Sequence, residues 1–188
     1  GIHATSRMTR EATEEEIFVQ TEKRLDSFLA HGVTSIEGKS GYGLNLETEI
    51  KQLRVMHRLQ QEHPIDIVPT FMGAHAVPSD FKGKEDQYVD LVINEMLPRV
   101  AHDKLAKFND VFCEVGVFTP EQSKRILEAG KTLGLTPKIH ADEIESYGGA
   151  ELAAEVGAIS AEHLLKVSDL GIAAMAKKGV IACLLPAT

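Results

Sequence analysis

The residues most able to do chemistry form short clusters, each at the end of an apolar run. The sharpest is His140-Ala141-Asp142-Glu143. A neutral imidazole at the end of a buried strand is a good ligand for zinc or iron. A carboxylate three residues on can reach water at the same metal, and Glu143 can act as a general acid/base if partial burial raises its pKa. A strand-end histidine can equally be a hydrogen-bonded core residue. Glu162-His163 places a second imidazole at the end of the next apolar run, where it either shares the same mouth with His140 or forms a surface pair. His75, after Phe71-Met72-Gly73-Ala74, is a third; it could bind substrate or polarise a carbonyl, or be an ordinary loop residue. In Lys39-Ser40-Gly41-Tyr42-Gly43 the glycines allow a sharp turn that would present Tyr42 over a pocket, the alternative being a plain βα turn. Gly38-Lys39-Ser40 is not a phosphate-binding loop. Val33 stands where that motif needs its first glycine, and the residues between read as strand rather than cradle. A metal site normally needs three or four ligands, and the chain offers neither a His-x-His nor an HExxH pair.

These clusters must be positioned by an alternation of strands and helices. Thr13 with Glu16 has capping-box spacing and opens a helix with a stripe of Ile17, Leu25, Phe28 and Leu29, closed at Gly32. A strand is expected at 33–37, a helix at 47–61 ending before Pro64, a strand at 65–72, a helix at 85–100 and a strand at 110–115. Thr119, Pro120 and Gln122 open the next helix, which ends at Gly134. Then follow a strand at 137–141, a helix at 149–156, a strand at 158–162, a helix from Ser168 to Gly179 and a strand at 180–185. Such alternation means parallel strands with crossover helices. Polar and ionisable groups end almost every strand: Glu37, Lys39 and Tyr42, then His75, Glu114, His140 to Glu143, and Glu162 with His163. Convergence from many successive strand ends is the layout of a barrel's catalytic face, whereas a doubly wound sheet concentrates its site at one switch point. The expected fold is therefore α/β, a (β/α)₈ TIM barrel. A complete barrel has eight strands in about 250 residues, so this chain holds about six βα units.

The 188 residues are 43% hydrophobic and 26% charged, with 28 acidic against 20 basic side chains and a net charge of −8. That balance argues against a nucleic-acid partner, and no apolar stretch approaches the roughly 20 residues that span a bilayer. Cys113 and Cys183 make no disulfide framework and fit a reducing, cytoplasmic compartment; both read as small core hydrophobes. No linker or charge block divides residues 1–188, which read as a single segment. The start, Gly1-Ile2-His3, has neither an initiator Met nor a signal-peptide layout, so the segment reads as cut from a longer chain. His31, His57, His63 and His102 fall on or just past helices and read as solvated, and His3 has no assignable place.

Four blocks and the end of the chain carry a resemblance. Lys39 to Leu44, Thr70 to His75, Lys138 to Glu143, Ser160 to Leu164, and Leu184-Leu185-Pro186 together resemble the imidazolonepropionases of the metal-dependent amidohydrolase superfamily, in one order along the whole chain. The resemblance implies an amidohydrolase-type (β/α)₈ barrel. It implies hydrolysis of the cyclic amide of 4-imidazolone-5-propanoate to N-formimidoyl-L-glutamate in histidine degradation. On it, His140 is the metal-ligating histidine of the fifth barrel strand and Glu143 the acid/base that also contacts substrate. His163 is the sixth-strand histidine beside the metal's water, and Tyr42 and His75 bind substrate. One zinc or iron ion is implied, with a small-molecule substrate and no nucleic acid or membrane partner, and the resemblance admits a homodimer. The family's His-x-His pair and a substrate-binding Arg would precede Gly1, and its eighth-strand Asp would follow Thr188, so the segment alone is expected to be inactive. Two other readings stay open: another amidohydrolase, acting on a heterocyclic base, or a metal-free barrel used for binding.

Overall fold

A computed structural model describes residues 1–185; Pro186, which closes the last block above, lies outside the described residues. The chain opens with helix α1 (Ile2–Glu11), which the sequence reading did not foresee. Its first turn has no side-chain cap to announce it, and Ser6 is its one buried residue. α2 (Glu14–Ala30) starts from the expected capping box: Thr13 Oγ1 accepts from the Glu16 N–H, and Glu16 returns a bond to the Thr13 N–H.

From there the chain alternates: β1 (Ser35–Lys39), α3 (Leu46–Glu62), β2 (Asp66–Ala74), α4 (Glu85–Leu91), α5 (Leu97–His102), β3 (Phe108–Cys113), α6 (Pro120–Thr132), β4 (Thr136–Ala141), α7 (Gly149–Val156), β5 (Ser160–His163), α8 (Asp169–Lys178) and β6 (Ile181–Cys183). The helix expected over 85–100 is real but interrupted by a π-helical stretch, Val92–Met96, between α4 and α5. The six strands pair in parallel in the order β1-β2-β3-β4-β5-β6. Sequential order leaves no switch point, so the doubly wound alternative is excluded. The sheet also curls. Lys138 on β4 reaches Glu37 on β1 at 2.7 Å although two strands lie between them. In a flat sheet those strands would stand about 14 Å apart.

Side chains alternate across this curled sheet. Phe71, Val111, Cys113, Ile139, Ala141 and Ala161 are wholly buried in the core that the helices cover. The alternate positions, Glu37, Lys39, Asp110, Lys138, His140 and Glu162, meet one another on the concave face. Here the strand boundaries differ from those expected. β1 and β3 lie two residues away from the ranges read from sequence, because a concave face built of charged residues makes the body of a strand look like its polar end.

α7 packs backbone-to-backbone on β4: a Cβ added at Gly149 would sit 2.7 Å from the Ala141 Cβ and 3.1 Å from its Cα. Gly149→Ala should therefore lower stability by about 1–3 kcal/mol, read as an earlier midpoint in urea unfolding. An unchanged midpoint would contradict this packing.

Candidate active site

All five residues singled out from the sequence line one cavity of about 270 Å³ at the C-terminal ends of the strands: Tyr42, His75, His140, Glu143 and His163. The Tyr42 and His75 rings meet edge-on with centroids 5.1 Å apart. His75 and His140 follow at 6.2 Å, and His140 and His163 at 5.2 Å. Glu143 Oε1 lies 3.4 Å from His163 Nδ1, a buried nitrogen with no hydrogen-bond partner among the described residues. Phe112 stacks edge-on against His140, giving the cavity an apolar wall.

Beneath the imidazoles lies a layer of charge. His140 Nδ1 donates to Asp110 Oδ1 at 3.0 Å, a bond that assigns the proton to Nδ1 and leaves the Nε2 lone pair free. Lys39 Nζ donates to Asp110 Oδ2 at 2.8 Å and to Glu37 Oε1 at 2.7 Å. Lys138 Nζ bridges Glu37 at 2.7 Å and Glu162 at 2.9 Å. Burial works against the charge on Asp110, but His140 and Lys39 outweigh it and hold its carboxyl well below the usual carboxylate range. Burial likewise opposes the imidazolium of His140, and Asp110 reverses the balance and raises its pKa. Burial wins at His75, where His140 adds repulsion, and at His163; both are lowered.

This layer tests whether a metal ion fits. Donor atoms of Asp110, His140 and Glu162 lie within 4.8 Å of one another. Both carboxylates, however, already carry ammonium partners, Lys39 and Lys138. The donor set that remains is a single imidazole, His140, with a carboxylate bonded behind it. A carboxylate in that position is the usual support of a metal-binding histidine, fixing its tautomer and raising its basicity. The chemistry of this donor set fits a metal, with His140 as the group that could hold it.

Buried carboxylates also fold the loops of this face. Glu114, at the end of β3, accepts from the backbone N–H groups of Glu143 (3.1 Å), Ile144 (2.8 Å) and Glu145 (3.4 Å). Asp142 accepts from Tyr147 (2.7 Å), Gly148 (3.1 Å), Gly149 (3.2 Å) and Ala150 (2.9 Å), at the start of α7. Asp142, His163 and Leu164 all take left-handed backbone conformations, with φ of 49°, 73° and 62°. Such conformations are strained for these residue types and persist only where neighbours over-determine them.

The sequence reading did not single out Asp110 or Lys138. Their signal was present, since each stands two positions before a residue of the cavity and so on the same face of its strand. Two other expectations are corrected. His63 is buried, its Nδ1 accepting from the Ile65 N–H at 3.1 Å, rather than solvated. Cys183 is part-exposed on β6 and no core residue. Cys113 is buried as expected, and burial pushes its thiol up to about 11.

No protein-family model matches the chain. Individual sequences do. An imidazolonepropionase of Geobacillus kaustophilus is 66% identical over all 188 residues, and one of Brevibacillus brevis is 67% identical over the same length. In both cases the match covers 100% of this chain and 44% of the relative, so the chain spans less than half the length of the curated relatives it matches. Along all of its residues the sequence thus resembles imidazolonepropionase. Among solved structures, an adenine deaminase from Arthrobacter aurescens superposes with a TM-score of 0.68 at 15% identity, over 95% of this chain and 55% of that one. An uncharacterized metal-dependent hydrolase from Pyrococcus horikoshii gives 0.63 at 18% identity, over 93% and 38%. At such identities these structures establish the fold alone, a curled sheet of parallel strands with crossover helices as in a (β/α) barrel.

The charge layer sets the order in which the histidines titrate. In metal-free protein followed by NMR, His140 should lose its proton above the ordinary imidazole value of about 6.5, and His75 and His163 below it. The stability contributed by the His140–Asp110 pair is then complete below about pH 6.5 and lost as pH rises through the raised value. Asp110→Asn should bring His140 below 6.5; an unmoved His140 would refute the coupling.

Proposed function

We propose that the complete gene product is a metal-dependent hydrolase that opens the cyclic amide of 4-imidazolone-5-propanoate, giving N-formimidoyl-L-glutamate in histidine degradation. The observation that carries this reading is the convergence of Tyr42, His75, His140, Glu143 and His163 on one small cavity, in a sequence that resembles imidazolonepropionase throughout.

His140 Nε2 would hold one zinc or iron ion, since imidazole suits both. Further ligands would come from the part of the relatives' length that this chain does not span. When bound, the ion acts as a Lewis acid that acidifies water and polarises the ring carbonyl. Glu143, within 3.4 Å of His163, would take the proton from the attacking water. The same carboxyl then delivers that proton to the ring nitrogen as the C–N bond breaks, so acid and base roles fall to one group. His163, whose lowered pKa keeps it neutral near pH 7, can donate or accept a hydrogen bond to the same water. Tyr42 and His75, which meet edge-on in the cavity lining, would hold the ring in line for attack, an orientation effect.

The cavity size suits a small molecule rather than a polymer, and no helix among the described residues is long and apolar enough to cross a membrane. A cytoplasmic location and a homodimer complete the reading; the free thiols of Cys113 and Cys183 accord with the first.

The test uses the complete gene product. Hydrolysis of imidazolone propanoate should collapse on chelation and return on adding zinc or iron. Glu143→Gln should lower kcat by about 10²–10⁴-fold. Full activity after both treatments would overturn the mechanism. Turnover of adenine, guanine or cytosine in preference to imidazolone propanoate would instead place the protein among the heterocyclic-base aminohydrolases.

A further inference from the structure

The loop that carries Tyr42 is held by a carboxylate with no assigned role. Glu49, on α3, is completely buried. Its Oε2 accepts from the Gly41 N–H at 2.7 Å, and its Oε1 accepts from the Gly43 N–H at 2.7 Å and the Leu44 N–H at 2.9 Å. Among the described residues it forms no ion pair. A buried carboxylate is tolerated only when its hydrogen bonds are made; here the closest donors are backbone groups flanking Tyr42 on both sides, with Gln52 Nε2 donating to Oε1 at 3.4 Å as well.

The carbonyls of the same loop are held from the opposite direction by α1. Arg10 Nε donates to Gly43 O at 2.6 Å and its Nη2 to Leu44 O at 3.2 Å, while Ser6 Oγ donates to Gly43 O at 3.1 Å. The Gly41 carbonyl faces His75 Nδ1 at 3.1 Å. One peptide residue, Gly41, therefore ties Glu49 through its N–H to His75 through its C=O. The segment has little freedom to sit elsewhere. Gly41 has φ +102°, and a Cβ there would meet Met72 O at 2.8 Å. What this clamp delivers to the cavity is Tyr42 and the orientation of His75.

We infer that Glu49 is a positioning residue, which sets Tyr42 and His75 for substrate through the 41–44 backbone, with Arg10 and Ser6 holding the loop from its other side. The inference rests on the proposed function, in which those two side chains bind the ring.

The test measures KM and kcat separately, with thermal midpoint, in the complete gene product. Glu49→Gln replaces one acceptor oxygen by an amide nitrogen and so opposes at least one N–H of the loop. KM for imidazolone propanoate should rise about tenfold, the scale of one charge-assisted hydrogen bond, while kcat falls far less. In the Tyr42→Phe/His75→Asn background the same change should add little to KM, since its route to substrate is already removed. A loss of kcat and thermal midpoint with KM unchanged would show a merely structural role and overturn the inference. Should Glu49→Gln not accumulate as folded protein, Ser6→Ala and Arg10→Lys loosen the same loop from its carbonyl side, and an unchanged KM in both overturns it. Wild-type protein that does not hydrolyse imidazolone propanoate, even with added zinc or iron, would instead refute the proposed function on which the inference stands.

Discussion

The concave face of the sheet is charged, and that constraint organises the rest of the molecule. Barrel interiors are usually filled by branched apolar side chains; this one holds Glu37, Lys39, Asp110, Lys138 and Glu162. Ions removed from water must be paired with good geometry or they destabilise the fold. Beside the Lys138–Glu162 pair of adjacent β4 and β5, other pairs join strands that are not neighbours: β1 with β3, and β1 with β4. Satisfying the charges and curving the sheet are thus one requirement. The same arrangement supplies Asp110 to His140, so the orientation of the imidazole follows from the charge compensation beneath it.

Above this layer the βα loops lack regular backbone pairing, and buried carboxylates take its place. Glu49, Glu114 and Asp142 each gather three or more backbone N–H groups into a short stretch of chain. Each gathered stretch presents a side chain to the cavity or starts the next helix. The arrangement places flexible-looking loops under fixed geometry, which is what left-handed conformations at Asp142 and His163 require. A site assembled this way is positioned by groups that never enter the cavity.

Much of this was legible in the sequence. Caps at Thr13, Thr119 and Ser168 fixed three helix starts, because a side-chain oxygen three residues before a backbone N–H is a local signal. The recurrence of ionisable residues at strand ends pointed to a barrel and brought Tyr42, His75, His140, Glu143 and His163 to one place. What escaped were non-local partners. Nothing near Asp110 or Lys138 in sequence says that one supports an imidazole and the other an acid 101 residues away. Glu49 reads as an ordinary first-turn glutamate of α3, and α1 has no capping side chain to announce it. Strand bounds slipped for the same reason, since charges that pair across a curled sheet look like solvent-facing ends when read along the chain.

The Lys138–Glu37 bond, spanning those 101 residues, bears also on how the chain folds. Closing so long a loop costs more entropy than the local contacts of any one βα unit, and such contacts form later. Neighbouring strands and their helices can associate while the acids and lysines of the concave face are still hydrated. Only when the sheet bends do these groups leave water, and by then each partner is at hand. The chemistry-bearing floor is therefore expected to consolidate last, with its buried charges paired as they leave water.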